Sequence, residues 1–237
     1  MTPSENISES TDRQKTAVLL FSRPTHLEAV AKPLYGDQNV TLNRKIWSAF
    51  KNHTTKAVER SGLDLIQYTL QEGTSFGEKI ANAVQSTFSE GYEKVILLGV
   101  DNPNLHHNTI KFVADKLADN DWVIEPSEDG GVNIFGIHKE HFNFEEFQSL
   151  PWQTEQLLNE FVDTCRAKFQ NLYLLAGSPD IDAKETLEAW LLNPQNKLLG
   201  LVIKALLFKE KFASPNTGVS KASESKTVNE LLRAPPQ

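Results

Sequence analysis

The feature that most constrains this chain is the run Lys94–Val100, apolar from Val95 to Leu98 and halted at Asp101, Asn102 and Pro103. A short apolar stretch bounded by turn residues fits a strand buried on both faces, as inside a parallel sheet. Further strands are expected at Thr16–Ser22, Leu63–Leu70, Trp122–Glu125, Val132–Ile137 and Leu172–Leu175. Helical periodicity fills the gaps at Val40–Arg60, Thr109–Leu117, Thr154–Phe169, Ala183–Leu192 and Asn196–Phe212. Another helix follows Ser75, with Phe76, Ile80, Val84 and Phe88 in four-residue steps. Ser75 and Glu78 fit a capping box at its start, and Gly91 fits its end. Residues 23–38 read as an irregular loop. Strand and helix alternate throughout, which predicts an α/β fold with a mostly parallel sheet and helices on both faces.

The 237 residues suffice for one such domain, bounded at 16–212 between polar segments, 1–15 and 213–237, expected to be disordered. Net charge is −7, and no Lys or Arg run interleaves with aromatics, which argues against nucleic acid as the main partner. A single cysteine, Cys165, excludes an internal disulfide framework and a cysteine-based zinc site, and its helical setting predicts a buried, inert thiol. Residues 1–15 carry no apolar signal region, so a cytoplasmic protein is expected. No apolar stretch reaches the roughly 18 residues of a membrane span. The nearest, Leu198–Phe208, is interrupted by Lys204. With Lys197, Lys209 and Lys211 it forms a basic helix over 197–211 that packs on the domain or rests on a membrane surface; packing is the expected outcome.

In open α/β sheets ligands bind beyond the carboxyl ends of strands. Asp101 sits at such an end, where a carboxylate can ligate a hard cation that in turn holds phosphate, or simply cap the turn. Asp180 and Asp182 alternate ahead of a helix. If extended, they point to one side and one of them could meet the same cation; otherwise Asp182 caps the helix. Glu128 and Asp129 precede two glycines in a turn and could accept a proton from an attacking hydroxyl. The helix start at Ser75–Asn82 offers amide groups to an anion, although ordinary capping explains Ser75 and Glu78 as well. Trp152 could present a flat face to a sugar ring or pack in the core. The adjacent His106 and His107 are expected to be a solvated pair.

Five motifs occur in order: Gly73-x-Ser75-Phe76-Gly77-Glu78-x-x-x-Asn82-Ala83, Leu98-Gly99-x-Asp101-x-Pro103-x-Leu105, Pro126-x-Glu128-Asp129-Gly130-Gly131, Pro151-Trp152-x-Thr154 and Asp180-Ile181-Asp182-x-x-Glu185-x-Leu187. Together they resemble an uncharacterised glycosyltransferase-A-like family of bacterial and archaeal proteins. That family includes proteins associated with arsenosugar biosynthesis and is distantly related to the phospholactate and molybdenum cofactor guanylyltransferases. The resemblance spans roughly residues 16–190. It implies a nucleotide-diphospho-sugar transferase fold and a metal-dependent transferase using a sugar nucleotide or nucleoside triphosphate as donor, with an unidentified small-molecule acceptor. It implies Asp101 as a ligand of Mg²⁺ or Mn²⁺, with Asp180 or Asp182 completing the site, Asp182 being preferred, and phosphate contacts from the basic groups of the first loop, here Arg23 and Lys32; catalysis is expected from Asp129 or Glu128 and further donor contacts from Ser75 and Asn82. The loop after the first strand departs from the family pattern. It carries Glu28, lacks the usual glycine and keeps only Arg23 and Lys32 as cations. That departure keeps open a second reading, a catalytically degenerate relative acting as a binding or scaffold module.

Overall fold

The computed structural model describes residues 15–69, 72–194, 196 and 198–213. Its strands are β1 (Thr16–Phe21), β2 (Asp64–Tyr68), β3 (Lys94–Leu98), β4 (Trp122–Pro126), β5 (Val132–His138) and β6 (Leu172–Leu174). Its helices are α1 (Thr25–Ala31), α2 (Val40–Ser61), α3 (Phe76–Ser89), α4 (His107–Lys116), α5 (Phe144–Ser149), α6 (Leu157–Ala167), α7 (Lys184–Leu192) and α8 (Leu198–Ala213). The strands form one sheet in the order β2-β1-β3-β5-β4-β6. All of them run the same way except β5, which pairs antiparallel with β3 and β4. The reversal has a simple cause. The link from β4 to β5 is the turn 127–131, far shorter than the dozen or so residues a parallel crossover needs. The mostly parallel α/β fold expected from the sequence is therefore present.

Alternation along the strands feeds two cores. Val18 and Leu20 of β1 face α2, α4, α7 and α8, whose Ile46, Trp47, Phe50, Ile110, Trp190 and Ile203 close that side. Leu19 and Phe21 face α3, α5 and α6, meeting Ile80, Val84, Phe147 and Phe161. Cys165 belongs to this second core, and burial pushes its thiol up to about 12, as expected of an inert cysteine. No helix among the described residues is long and apolar enough to cross a membrane.

Several local expectations shift. Residues 25–31 are helix α1 rather than loop; with seven residues, they are too few to show a helical period. The short α5, capped by Asn143 Oδ1 accepting from Glu146 N at 3.1 Å, was likewise illegible in the sequence. Ser75 Oγ accepts from Glu78 N at 3.0 Å as expected, but Glu78 reaches back chiefly to Thr74, taking its hydroxyl at 2.6 Å and its amide at 2.7 Å. At the start of α7 the capping position is Ala183, with Thr186 Oγ1 accepting from its amide at 3.2 Å. Asp182 is thus not used to cap that helix. Of the segments expected to be disordered, 1–15 and 213–237, all but Lys15 and Ala213 lie outside the described residues, as do Leu70, Gln71, Gln195 and Lys197; Ala213 ends α8.

Candidate functional site

Because β5 alone is reversed, its amino end lies at the same edge as the carboxyl ends of the other strands. There the loops after β1, β3, β4 and β6 enclose a cleft of about 490 Å³.

One wall is acidic. Carboxylate oxygens of Asp129, Asp180 and Asp182 all lie within 4.8 Å of one another. Asp129 is fixed from below, its Oδ1 accepting from Ser127 Oγ and from Gly131 N, the latter at 3.0 Å. The turn that carries it needs Gly130, which sits at φ +90°, and a Cβ there would stand 2.4 Å from Glu155 O. Asp180 and Asp182 flank Ile181, whose side chain is fully buried and whose amide donates to Asp101 O at 2.9 Å. With Ile181 turned inward, its two neighbours turn toward the cleft, the period-2 geometry of extended chain. Asn133 Nδ2 anchors this segment by donating to Ser178 O at 2.8 Å. Burial, with Asp129, Asp101 and Asp182 nearby, pushes the Asp180 carboxyl up to about 6.

The facing wall is an ion-paired arrangement. Lys32 Nζ lies 3.0 Å from Asp101 Oδ2, and the Lys32 carbonyl is pinned by Trp47 Nε1 at 2.9 Å. Gly99 makes room for this pair, since a Cβ would fall 2.5 Å from Asp101 Oδ1. Burial alone would lower the Lys32 pKa, but Asp101, Glu28 and Asp182 outweigh it and hold the value above normal, so the ammonium stays charged. Glu28 is buried and lies 3.6 Å from Arg23; burial raises its carboxyl despite Lys32 and Arg23 beside it. Ser22 also lines the cleft, and its buried Oγ has no partner among the described residues. An orphaned buried hydroxyl in a cleft calls for a ligand or a water.

The remaining wall is aromatic. Phe76 meets Phe21 edge-on at 5.8 Å and Trp152 at 5.9 Å. Trp152 serves both roles weighed for it. It packs on Phe135 and Phe147, donates from Nε1 to Phe147 O at 2.7 Å, and still lines the cleft. Next to it Gln153 adopts φ +63°, an uncommon conformation for a residue with a side chain.

Of the residues singled out from sequence, Arg23, Lys32, Asp101, Asp129 and Asp182 line this one cleft. Asp101 is joined to Lys32, and the third member of the acidic trio is Asp180. Glu128 is exposed on the rim of the Asp129 turn. Ser75 caps α3 and Asn82 donates to Glu72 O at 2.9 Å, both outside the cleft lining. The alternation Asp180-Ile181-Asp182 was the signal for Asp180; nothing in the sequence marks Ser22. Three carboxylates and no sulfur or imidazole make a donor set suited to a hard divalent cation, which would relieve the repulsion felt by Asp180.

Residues 37–154 match a family profile described as an uncharacterized protein conserved in bacteria, DUF2064. That span contains Asp101, Glu128 and Asp129. A solved protein from Desulfovibrio desulfuricans G20, provisionally named a nucleotide-diphospho-sugar transferase, superposes with a TM-score of 0.70 at 19% identity, covering 84% of this chain and 96% of its own. Rv0371c from Mycobacterium tuberculosis H37Rv gives 0.48 at 13% identity, covering 76% of this chain and 98% of its own. A 4-diphosphocytidyl-2C-methyl-D-erythritol synthase from Anaerococcus prevotii DSM 20548 gives 0.48 at 12%, covering 76% and 100%. No curated protein matches in sequence. It is the Desulfovibrio likeness that carries the fold assignment. The chain has the nucleotide-diphospho-sugar transferase fold.

Proposed function

We propose that this chain is a divalent-cation-dependent transferase that takes a nucleotide-activated donor, a sugar nucleotide or a nucleoside triphosphate, and passes a glycosyl or nucleotidyl group to a small acceptor. The observation that carries the reading is the convergence of Asp129, Asp180 and Asp182 in the cleft that also holds Lys32 and Asp101. The trio would hold Mg²⁺ or Mn²⁺, which when bound offsets diphosphate charge and orients the leaving group. Lys32, kept charged by its neighbours, offers its ammonium to a phosphate, and Arg23 provides a second cation beside it. Ser22 Oγ supplies a donor that nothing else uses. Phe76 and Trp152 give a flat wall for a base or a sugar ring. With Asp129 Oδ2 turned to the cation, the proton of the attacking hydroxyl passes to Glu128, exposed beside it.

Thermal melting with common nucleotides and sugar nucleotides, with and without Mn²⁺, tests this. Stabilisation of about 2.7 kcal/mol is expected at a hundred times Kd, only with cation present, and it disappears in Asp182→Asn. A melting temperature that no nucleotide moves, with or without cation, overturns the proposal.

One feature favours a second reading, the non-catalytic binding or scaffold module. Glu28 lies beside Arg23 and acts on Lys32, so the cations of this loop are partly neutralised from within. Ligand binding without turnover supports that reading. Turnover that vanishes in Asp182→Asn ends it.

A further inference from the structure

A second cleft, of about 920 Å³, opens between α2, the loop from β3 to α4, and the α7–α8 pair. Its chemistry is the reverse of the first. Arg44, Lys45, Lys56 and Arg60 of α2 line it, and among the described residues no Asp or Glu does, in a chain of net charge −7. None of these four forms an ion pair among the described residues. Glu59, the one carboxylate of α2, is not part of the lining. Deeper in, His53 has its Nε2 sealed from solvent without a partner among the described residues. The α8 wall is aliphatic and open, with Leu198 74% and Val202 43% exposed. Trp190 Nε1 donates to Asn104 Oδ1 at 3.0 Å across the cleft lining, holding α7 against the β3–α4 loop. Cations along one wall and exposed aliphatics along another, around a space much larger than a bare phosphate fills, describe a site for a ligand with a charged head and an apolar tail.

We infer that this cleft binds a phosphate-bearing amphiphile, with the phosphate on the α2 cations and the aliphatic chain along Leu198 and Val202 of α8. This is independent of the transferase reading, since it uses none of the acidic trio. The phosphate head is shared by a lipid in a bilayer and by a free aliphatic phosphate, and the test separates them.

Calorimetry with monomeric dihexanoyl phosphatidic acid should show saturable binding, with inorganic phosphate at least about ten-fold weaker. The double variant Lys56→Gln, Arg60→Gln should weaken the amphiphile by about ten-fold or more. Leu198→Ser with Val202→Ser should weaken it while leaving inorganic phosphate unchanged. Arg166→Gln, which lies outside both clefts, should leave both unchanged. Unaltered melting of the variants separates lost binding from lost folding. Co-sedimentation with phosphatidylcholine vesicles only when they contain phosphatidic acid assigns a bilayer headgroup. Monomer binding without co-sedimentation assigns a free aliphatic phosphate. The inference is overturned by absent binding, by inorganic phosphate binding as tightly as the amphiphile, by full binding in the Lys56 and Arg60 double variant, or by its loss in Arg166→Gln.

Discussion

Asp180→Asn is expected to raise the melting temperature of the cation-free protein above pH 6 and to abolish its response to Mn²⁺. The sign follows from the carboxyl's value of about 6 in the fold against an ordinary 3.8. Between those values the folded protein holds more protons than the unfolded chain, so stability falls as pH rises through the window and stays reduced above it. A shift of this size corresponds to about 3 kcal/mol, and partial exposure of the group reduces the recoverable part to about 1–2 kcal/mol. Removing the charge should recover that amount, a rise of about 2–8 °C in melting temperature for a domain of this length. Below the window the advantage should vanish. In the parent, Mn²⁺ should produce a comparable gain by neutralising the same cluster. A variant that melts no higher than the parent above pH 6, or that still responds fully to Mn²⁺, would show that the three carboxylates do not converge.

The second large effect is expected from Gly77→Ala. In an ordinary helix this exchange stabilises by up to about 1 kcal/mol. Here a Cβ would stand 2.0 Å from Gln148 O and 2.8 Å from Trp152 Cδ1, so α3 and α5 must move apart. The cost is backbone displacement rather than a side-chain rotation, and about 3 kcal/mol is expected, a fall of about 6–12 °C. Trp152 walls the cleft, so ligand binding should weaken as well. Gly62→Ala is the control. That glycine has φ +77° with nothing within 4 Å of a new Cβ, and only the backbone strain of about 1 kcal/mol should appear. Both variants can be compared in one denaturant series, and a Gly77→Ala protein as stable as its parent would contradict the close approach of the two helices.

The sheet was largely legible in the sequence because its strands are short apolar runs and its long helices carry a clear period. Helices α1 and α5 were not, since seven and six residues give the period no room to repeat. The site was legible where a residue type sits at a strand end, as Asp101 and Asp129 do. It was not legible where folding decides the partner. Asp101 and Lys32 are 69 positions apart, and only the bend of the first loop makes them a pair. Asp180 read as the less functional of two alternating acids until the burial of Ile181 fixed which way its neighbours point. The cationic cleft was missed for a different reason. Its α2 cations are spread over four turns with Lys51 and Glu59 between them, and the absence of carboxylates from the lining becomes apparent only when α7 and α8 are seen to close the space.

Among the described residues the three-residue β6 is the outermost strand on its side and pairs only with β4. It also arrives late, more than thirty positions after β5 is complete. As a ribosome delivers this polypeptide, β1 to β5 can associate while the outer margin of β4, with Val123 and Ile124, still waits for Tyr173 and Leu174. An unpaired margin of that kind is an invitation to neighbouring nascent chains. The same late segment brings Asp180 and Asp182, so the outer margin of β4 is covered as the acidic cleft is completed.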